Sequence, residues 1–278
     1  MRGQIIITKA NGKREIFSEE KLRNSLFKSG ADEGTVNQIV DKIKSSLYDG
    51  VSTSEIYKHA FEILKSKKAV MASKYKLKRA IMELGPDGFA FEIFISEILK
   101  KLNYKTEVGK IIKGFCVNHE VDVIAQDGTH HFMVECKFHN QQGKFCDVKI
   151  PLYINSRFID VEKTWTKEIG HQELLHKGWL FTNTRFTTDA IQYGTCAGLK
   201  MTGWDYPKVE NLKDLVDQFR LYPVTVLSGL SKSEKKELLS NKIILCADLS
   251  ERKDFFERVS FTAVRQKKLL EECFNLLD

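Results

Sequence analysis

A chain of 278 residues with 42% apolar content is long enough to bury a large core and predicts two or three domains. It holds no run of about 20 apolar residues, the length needed to cross a bilayer, and its first apolar run, Ile5 to Ile7, is too short for a signal peptide. Six cysteines are scattered without paired spacing, which excludes a disulfide scaffold and predicts a reducing, cytoplasmic compartment. Charge is uneven: residues 1–82 carry 17 Lys+Arg against 9 Asp+Glu, a net of +8, and the remainder carries 27 against 28, a net of −1. Such a segment either meets polyanions, nucleotide or nucleic acid, or is simply a solvated basic surface.

In chain order, Gln4 to Lys9 and Arg14 to Phe17 flank Ala10-Asn11-Gly12-Lys13, the pattern of a hairpin with Asn-Gly in its turn. Ser18 starts a helix with Leu22, Leu26 and Phe27 at helical spacing, and a second helix runs from about Glu33 to Leu47, ahead of Asp49-Gly50. Ser52 and Glu55 form a capping box for a third helix carrying Ile56, Ala60, Phe61 and Leu64, and a fourth spans about Val70 to Leu84. A hairpin and four helices, with lysines near the turn and the first helix start, suit a phosphate cradle.

This segment resembles the ATP-cone, the nucleotide-sensing module of ribonucleotide reductases and of a bacterial regulator of their genes. The matching text is Ile6 to Phe17, Lys21, Asp49 to Ile56, and Ala72-Ser73-Lys74-Tyr75 with Arg79. The resemblance implies that Lys9, Glu15, Lys21 and Thr53 contact ATP or dATP, with Ile7 and Tyr57 lining the base site. Ala10 stands where the family often has a second basic residue, a departure that bears on phosphate affinity and nucleotide preference. No Gly-x-x-x-x-Gly-Lys-Ser/Thr motif occurs, so nucleotide is expected as a ligand rather than as fuel.

Gly85-Pro86-Asp87-Gly88 combines a helix stop with a turn and marks a domain boundary. Its shortness suggests that packing changes in the first module reach the next helix, a mostly buried one from Gly88 to Leu99 that ends near Asn103-Tyr104. Two apolar runs follow, 118–125 and 130–138, joined by the turn signal Asp127-Gly128. If Gln126 to Thr129 close this hairpin with a two- or four-residue loop, Ala125 lies opposite His130. Alternation then gives one face Val121, Val123, Ala125, Phe132, Val134, Cys136 and Phe138, with His130 at its turn end. The other face receives Glu120, Asp122, Met133, Glu135 and Lys137, with Ile124 and His131 nearer the turn. Glu120 would face Glu135, and opposed like charges call for a cation such as Mg2+ or Mn2+. With Lys137 beside them, the acids suit phosphodiester hydrolysis, in which a metal activates water and the lysine stabilises developing charge. A solvated sheet face with scattered charges produces the same pattern.

Trp179 to Ala190 reads as strand, loop and helix, followed by a strand to Gly203-Trp204-Asp205-Tyr206-Pro207. In that order, residues 86–208 resemble the restriction-endonuclease-like PD-(D/E)XK superfamily, specifically its Mrr-like branch. The matches are Phe91-Glu92, Val121 to Ala125, Glu135-Cys136-Lys137, and the run Thr182-Asn183-x-x-Phe186-Thr187-x-x-Ala190. The resemblance implies a helix-flanked mixed sheet, with Asp122, Glu135 and the Cys136 carbonyl as ligands of Mg2+ or Mn2+. It also implies Lys137 as the catalytic lysine and Glu92 as an accessory acid, with Glu97 as the alternative to Glu92. Zinc ligation by Cys136 and His139, or by Cys116 and His119, lacks a second pair, and core packing is the better reading of Cys136.

Beyond residue 208, Leu212 to Leu221 reads as a helix and Ser231 or Ser233 caps a Lys-Glu-rich one. Ile243 to Cys246 reads as a short strand or buried connector, and Phe261 to Leu277 as a terminal helix. Val226 to Lys232 fits either a helix-hairpin-helix turn, which grips DNA phosphates through backbone amides, or an ordinary capped helix. The expected architecture is α/β, α+β overall: an ATP-cone over 1–84, an Mrr-like catalytic domain over 86–208 and a mainly helical extension over 209–278. The expected function is a metal-dependent DNA endonuclease of restriction or DNA defence, regulated by ATP or dATP and without membrane contact. Its partners would be DNA, the nucleotide and, for double-strand breaks, a second copy. The competing readings are a nucleotide-sensing DNA-binding regulator and a junction resolvase.

Overall fold

The computed structural model describes residues 5–168, 170–171, 173–251, 256 and 261–278. Strands β1 (Ile6–Thr8) and β2 (Arg14–Ile16) pair antiparallel with Ile7 opposite Glu15. Gly12 takes the left-handed conformation (φ +79) that an Asn-Gly hairpin turn requires; Gln4, the expected first residue of this strand, lies outside the described residues. Helices α1 (Glu19–Lys28), α2 (Glu33–Ser46), α3 (Thr53–Lys67) and α4 (Ala69–Met82) follow. The Ser18, Asp32 and Ser52 side chains each accept an orphan amide of the helix they start. The expected capping box at Ser52 is only half made, because the Glu55 carboxylate instead accepts the Tyr48 hydroxyl at 3.0 Å. Leu26, Val36, Ile39, Ile43, Ala60 and Leu64 close on Ile7 as one core, each large aliphatic side chain contributing roughly 1.5–3 kcal/mol.

A five-stranded mixed sheet comes next, in the order β3-β4-β5-β7-β9. Strand β4 (Asn118–Gln126) pairs antiparallel with both β3 (Lys105–Lys113) and β5 (His130–Lys137). Strands β7 (Leu175–Thr182) and β9 (Lys200–Thr202) run parallel to β5, reached through α6 (Lys149–Trp165) and α7 (Thr188–Cys196), the helical crossovers that parallel pairing demands. The short strands β6 (Phe145–Cys146) and β8 (Arg185–Phe186) form a separate parallel pair. Helix α5 (Phe89–Lys101) packs on the face carrying Val123, Ala125, Phe132, Val134 and Cys136, while Ile154, Phe158 and Trp165 of α6 cover Met133 and Leu180 on the other.

The remaining chain forms α8 (Leu212–Phe219), a 3-10 turn (Val224–Val226), α9 (Lys232–Ser240), α10 (Cys246–Glu251) and α11 (Ala263–Leu277). Ile243 to Leu245 is a buried connector, with Leu245 bridging Pro223. Ser231 is the cap of α9, in a complete capping box with Glu234. The helix-hairpin-helix reading of Val226 to Lys232 gives way to the capped helix: the Ser228 amide is already donated to Glu272 at 2.9 Å. Gly229 lies so close to α11 that a methyl group there would meet Leu269 at 2.8 Å. This region shares its core with α5 and with Leu77, Ala80, Ile81 and Leu84 at the end of the first module, so α4 contributes to both cores. Among the described residues no helix is long and apolar enough to cross a membrane.

The β4–β5 register differs from expectation by two residues. Ala125 faces Phe132, not His130, because Asp127 to His130 form a four-residue loop in which the Asp127 carboxylate accepts the amides of Thr129 and His130. A shift of two preserves the faces, since side chains alternate with period two. It does remove Glu120 from opposite Glu135. One residue changes company: Val121, expected in the α5 layer, is buried with Met133 and Ile154 beneath α6, beyond the point where the β4–β5 pairing stops at Val123 and Val134.

Candidate active site and nucleotide site

Where β4 parts from β5, a side chain replaces the backbone acceptor: the Cys136 amide donates to Asp122 Oδ2 at 2.7 Å. Glu135, next on β5, accepts Arg157 Nη1 of α6 through Oε2 at 2.5 Å. The other arm of that guanidinium donates to the Glu120 carbonyl. Both charged side chains of this pair are nearly buried, 11% and 17% exposed. Glu92 arrives in the first turn of α5, which begins at Gly88 in a left-handed conformation (φ +91).

Burial and the charges of their neighbours shift these carboxyls in the same direction. Burial first, and then the charges of Asp122, Glu120 and Glu135, push the Glu92 carboxyl up to about 7. Burial and the Asp122 charge also push Glu135 up to about 7, against the opposing pull of Arg157 and Lys137. Asp122 is raised too, by burial, although the Cys136 amide bond opposes this. Glu97, the alternative accessory acid, pairs with Lys100 at 2.7 Å instead. The donor chemistry, carboxylates and a strand carbonyl, fits a hard divalent ion. In the present arrangement, however, the cation against Glu135 is Arg157, and among the described residues no three His, Cys, Asp or Glu side chains gather closely enough to hold a metal.

The chain after Lys137 is fixed on both sides. The buried Asn183 side chain accepts the His139 amide at 2.9 Å and donates to the His139 carbonyl at 2.8 Å, so the Thr182-Asn183 run positions the end of β5. Gly85 leaves no room for a side chain against Phe138, where an added methyl would lie 2.6 Å from the ring. Cys136 is buried in the core, and His119 bonds Asp160 at 2.8 Å. Sequence reasoning missed Arg157 because it passed over α6 altogether. The signal was there in Ile150, Ile154, Phe158, Val161 and Trp165 at helical spacing, with Pro151 in the first turn.

The second cluster lies on the first module. Lys9 Nζ is 2.6 Å from Glu15 Oε2, and Lys21 Nζ is 3.6 Å from Glu15 Oε1. The bond from Lys9 holds the Glu15 carboxyl below its ordinary range. Hydrogen bonds from Thr8 to Val51 and from Gly50 to Ile6 dock the hairpin on the segment leading to Thr53, the first residue of α3. Ile7 is buried in the core, and Tyr57 stacks on Tyr75 with ring centroids 4.9 Å apart, its buried hydroxyl without a partner. The hairpin turn reaches the loop after Lys137: a methyl group at Gly143 would lie 3.0 Å from Asn11 Cβ.

Residues 5–84 match the ATP cone domain family, and residues 222–277 match the family described as AF1548-like, C-terminal. An uncharacterized protein of Archaeoglobus fulgidus is 31% identical over 184 residues, 66% of this chain and 99% of that protein. The crystal structure of a protein of unknown function, AF1548, is similar with a TM-score of 0.56 at 29% identity, covering 68% of this chain and 97% of that one. The chain belongs to the AF1548-like family and carries an ATP cone domain, a module for sensing nucleotide, over residues 5–84.

Proposed function

We propose that this protein is a divalent-metal-dependent DNA endonuclease of the restriction-endonuclease-like type, regulated by ATP or dATP on its ATP cone. The observation that supports the reading is the placement of Asp122, Glu135 and Lys137 where β4 and β5 part, with Glu92 entering from the first turn of α5, on a mixed sheet between α5 and α6. Asp122, Glu135 and the Cys136 carbonyl would hold Mg2+ or Mn2+. Bound there, the ion supplies a polarised water and neutralises phosphate charge. Lys137 orients the attacking water and stabilises the charge that develops on the phosphate. Glu92, whose carboxyl is raised by burial and the neighbouring acids, would serve as the accessory acid that assists a water at this site.

Regulation has two routes of contact. The Asn11 turn touches Gly143, in the loop after Lys137, and α4 is built into the core beneath α5. Phosphates at Lys9 and Lys21 would compete with Glu15 for these lysines and shift the hairpin that bears Asn11. The second reading, a nucleotide-sensing DNA-binding regulator without turnover, is favoured by one observation, the Arg157 guanidinium already paired with Glu135. Plasmid, methylated and branched DNA incubated with Mg2+ or Mn2+ distinguish the two. Cleavage by the parent and its loss in Lys137→Ala with DNA binding retained support the nuclease; binding without cleavage under any metal supports the regulator, and cleavage of branched DNA alone marks a junction resolvase.

A further inference from the structure

Arg157 is the one cation in direct contact with the acidic cluster among the described residues, and its position is specific. It rises from α6, the helix that covers the opposite face of the sheet from α5. One arm meets the Glu135 carboxylate and the other the Glu120 carbonyl, so a single planar guanidinium bridges β5 and β4 where their pairing has ended. A guanidinium offers its donors in a fixed fork that matches two oxygen acceptors, either a carboxylate with a carbonyl or the oxygens of a phosphate. The same guanidinium, while paired, also lies over an aromatic face. The guanidinium carbon lies 5.5 Å from the ring centre of Tyr153, one helical turn back on α6, and that tyrosine is 60% exposed.

Resting on the nuclease reading above, we infer that Arg157 is a phosphate-binding residue held in reserve by Glu135, exchanging this carboxylate for a backbone phosphate of the substrate. While paired, it supplies the positive charge that the carboxylates need and so stands against a metal ion. Once drawn to a substrate phosphate, it would leave Glu135 and Asp122 to the metal and grip the nucleic acid, with Tyr153 flanking its guanidinium. Metal and DNA binding are therefore coupled through one side chain: each favours the conformer that the other requires.

The test is Mn2+ binding, followed by the loss of the free-ion electron paramagnetic resonance signal, on the full chain at constant pH and salt. Parent, Arg157→Gln, Arg157→Lys and Asp122→Asn are compared with and without a short duplex that carries uncleavable linkages. Without DNA, Arg157→Gln binds Mn2+ about tenfold more tightly than the parent, because the carboxylates have lost their internal counter-ion. DNA tightens Mn2+ binding by the parent and not by Arg157→Gln, and Arg157→Lys, which keeps the charge but not the fork, falls between. Circular dichroism confirms that each variant is folded. Equal or weaker Mn2+ binding by folded Arg157→Gln and Arg157→Lys, with binding still lost in Asp122→Asn, overturns the role of Arg157 and leaves the metal site standing. Mn2+ binding that is absent throughout, or indifferent to Asp122→Asn, overturns both.

Discussion

The two charged clusters of this molecule are built on opposite plans. On the ATP cone, Lys9 and Glu15 of the short hairpin and Lys21 in the first turn of α1 have 38%, 29% and 71% of their side chains exposed. Their pairings are of the surface kind, individually worth on the order of 0–1 kcal/mol, so an incoming phosphate can take the lysines at little cost. Around β4 and β5, Asp122, Glu135 and Arg157 are largely buried, each already holding an internal partner. Removing a partner there leaves a charge stranded away from water. The contrast is one of cost: the first cluster exchanges partners freely, whereas in the second a partner leaves only when another charge replaces it, and the contrast can be broken at several points.

The largest effect belongs to Lys137. Replacing it with alanine should lower the cleavage rate by roughly 100- to 1,000-fold, the usual scale for removing one charge-stabilising donor, while gel-shift affinity for DNA stays within a few-fold. A variant that cleaves like the parent would place the chemistry elsewhere. Next comes acid sensitivity in the same sheet. His131 of β5 is buried against Trp165, beside His171 and His176, with Glu168 next to His171. Burial, reinforced by its histidine neighbours, brings His131 down to about 4 from an ordinary 6.5. The unfolded chain therefore binds more protons than the folded one between these values. This contribution to stability is complete above pH 6.5 and falls as the pH drops to about 4, by roughly 2–3 kcal/mol. The raised carboxyls of Glu92 and Glu135 act in the opposite direction over the same range, so urea unfolding of the parent is compared with His131→Gln at pH 7, 6 and 5: the parent should lose stability relative to the variant as the pH falls, and a difference that does not change with pH contradicts the assignment.

A smaller effect is expected where α4 meets the C-terminal region. Glu83 accepts Lys235 Nζ at 2.9 Å and lies 3.8 Å from Lys76 Nζ, both lysines being nearly buried. Glu83→Ala leaves the two lysines facing each other and should cost about 2 kcal/mol in thermal unfolding, toward the low side for a buried pair because Glu83 is itself a third exposed. The smallest effect on folding is expected at Lys9. Lys9→Ala should weaken ATP or dATP binding about tenfold by calorimetry, as befits loss of a charge-assisted contact, yet change stability by less than about 0.5 kcal/mol. Unchanged nucleotide affinity would separate the hairpin from the nucleotide site.

How much of this was legible in the sequence follows from how local each signal is. The Asn11-Gly12 hairpin, the Ser18 and Ser52 caps and the alternation along 118–138 are written in neighbouring residues, and each led to the right element. The β4–β5 register was missed by two because Asp127 binds the amides of its own loop. The error spared the faces only because strands repeat every two residues. Strand β3 went unread, since it is an edge strand without a fully buried residue, interspersed with lysines and Gly109. Helix α6 was legible by its spacing, but no spacing reveals that Arg157 meets Glu135, a contact that exists only once a crossover helix lies on the sheet. Likewise Gly85, Asn11 and Gly143 acquire meaning only from the close approaches that folding creates.

Cleavage of supercoiled plasmid and branched DNA in Mg2+, by the parent and Lys137→Ala, with and without saturating ATP or dATP, tests the central claim most directly. The account predicts metal-dependent strand cleavage that disappears in Lys137→Ala, at a rate that nucleotide changes in the parent and changes in a folded Lys9→Ala variant only at about tenfold higher nucleotide concentration. Absence of cleavage by the parent with every divalent ion would contradict the nuclease assignment, and identical rates and DNA affinities with and without nucleotide would contradict its control by the ATP cone.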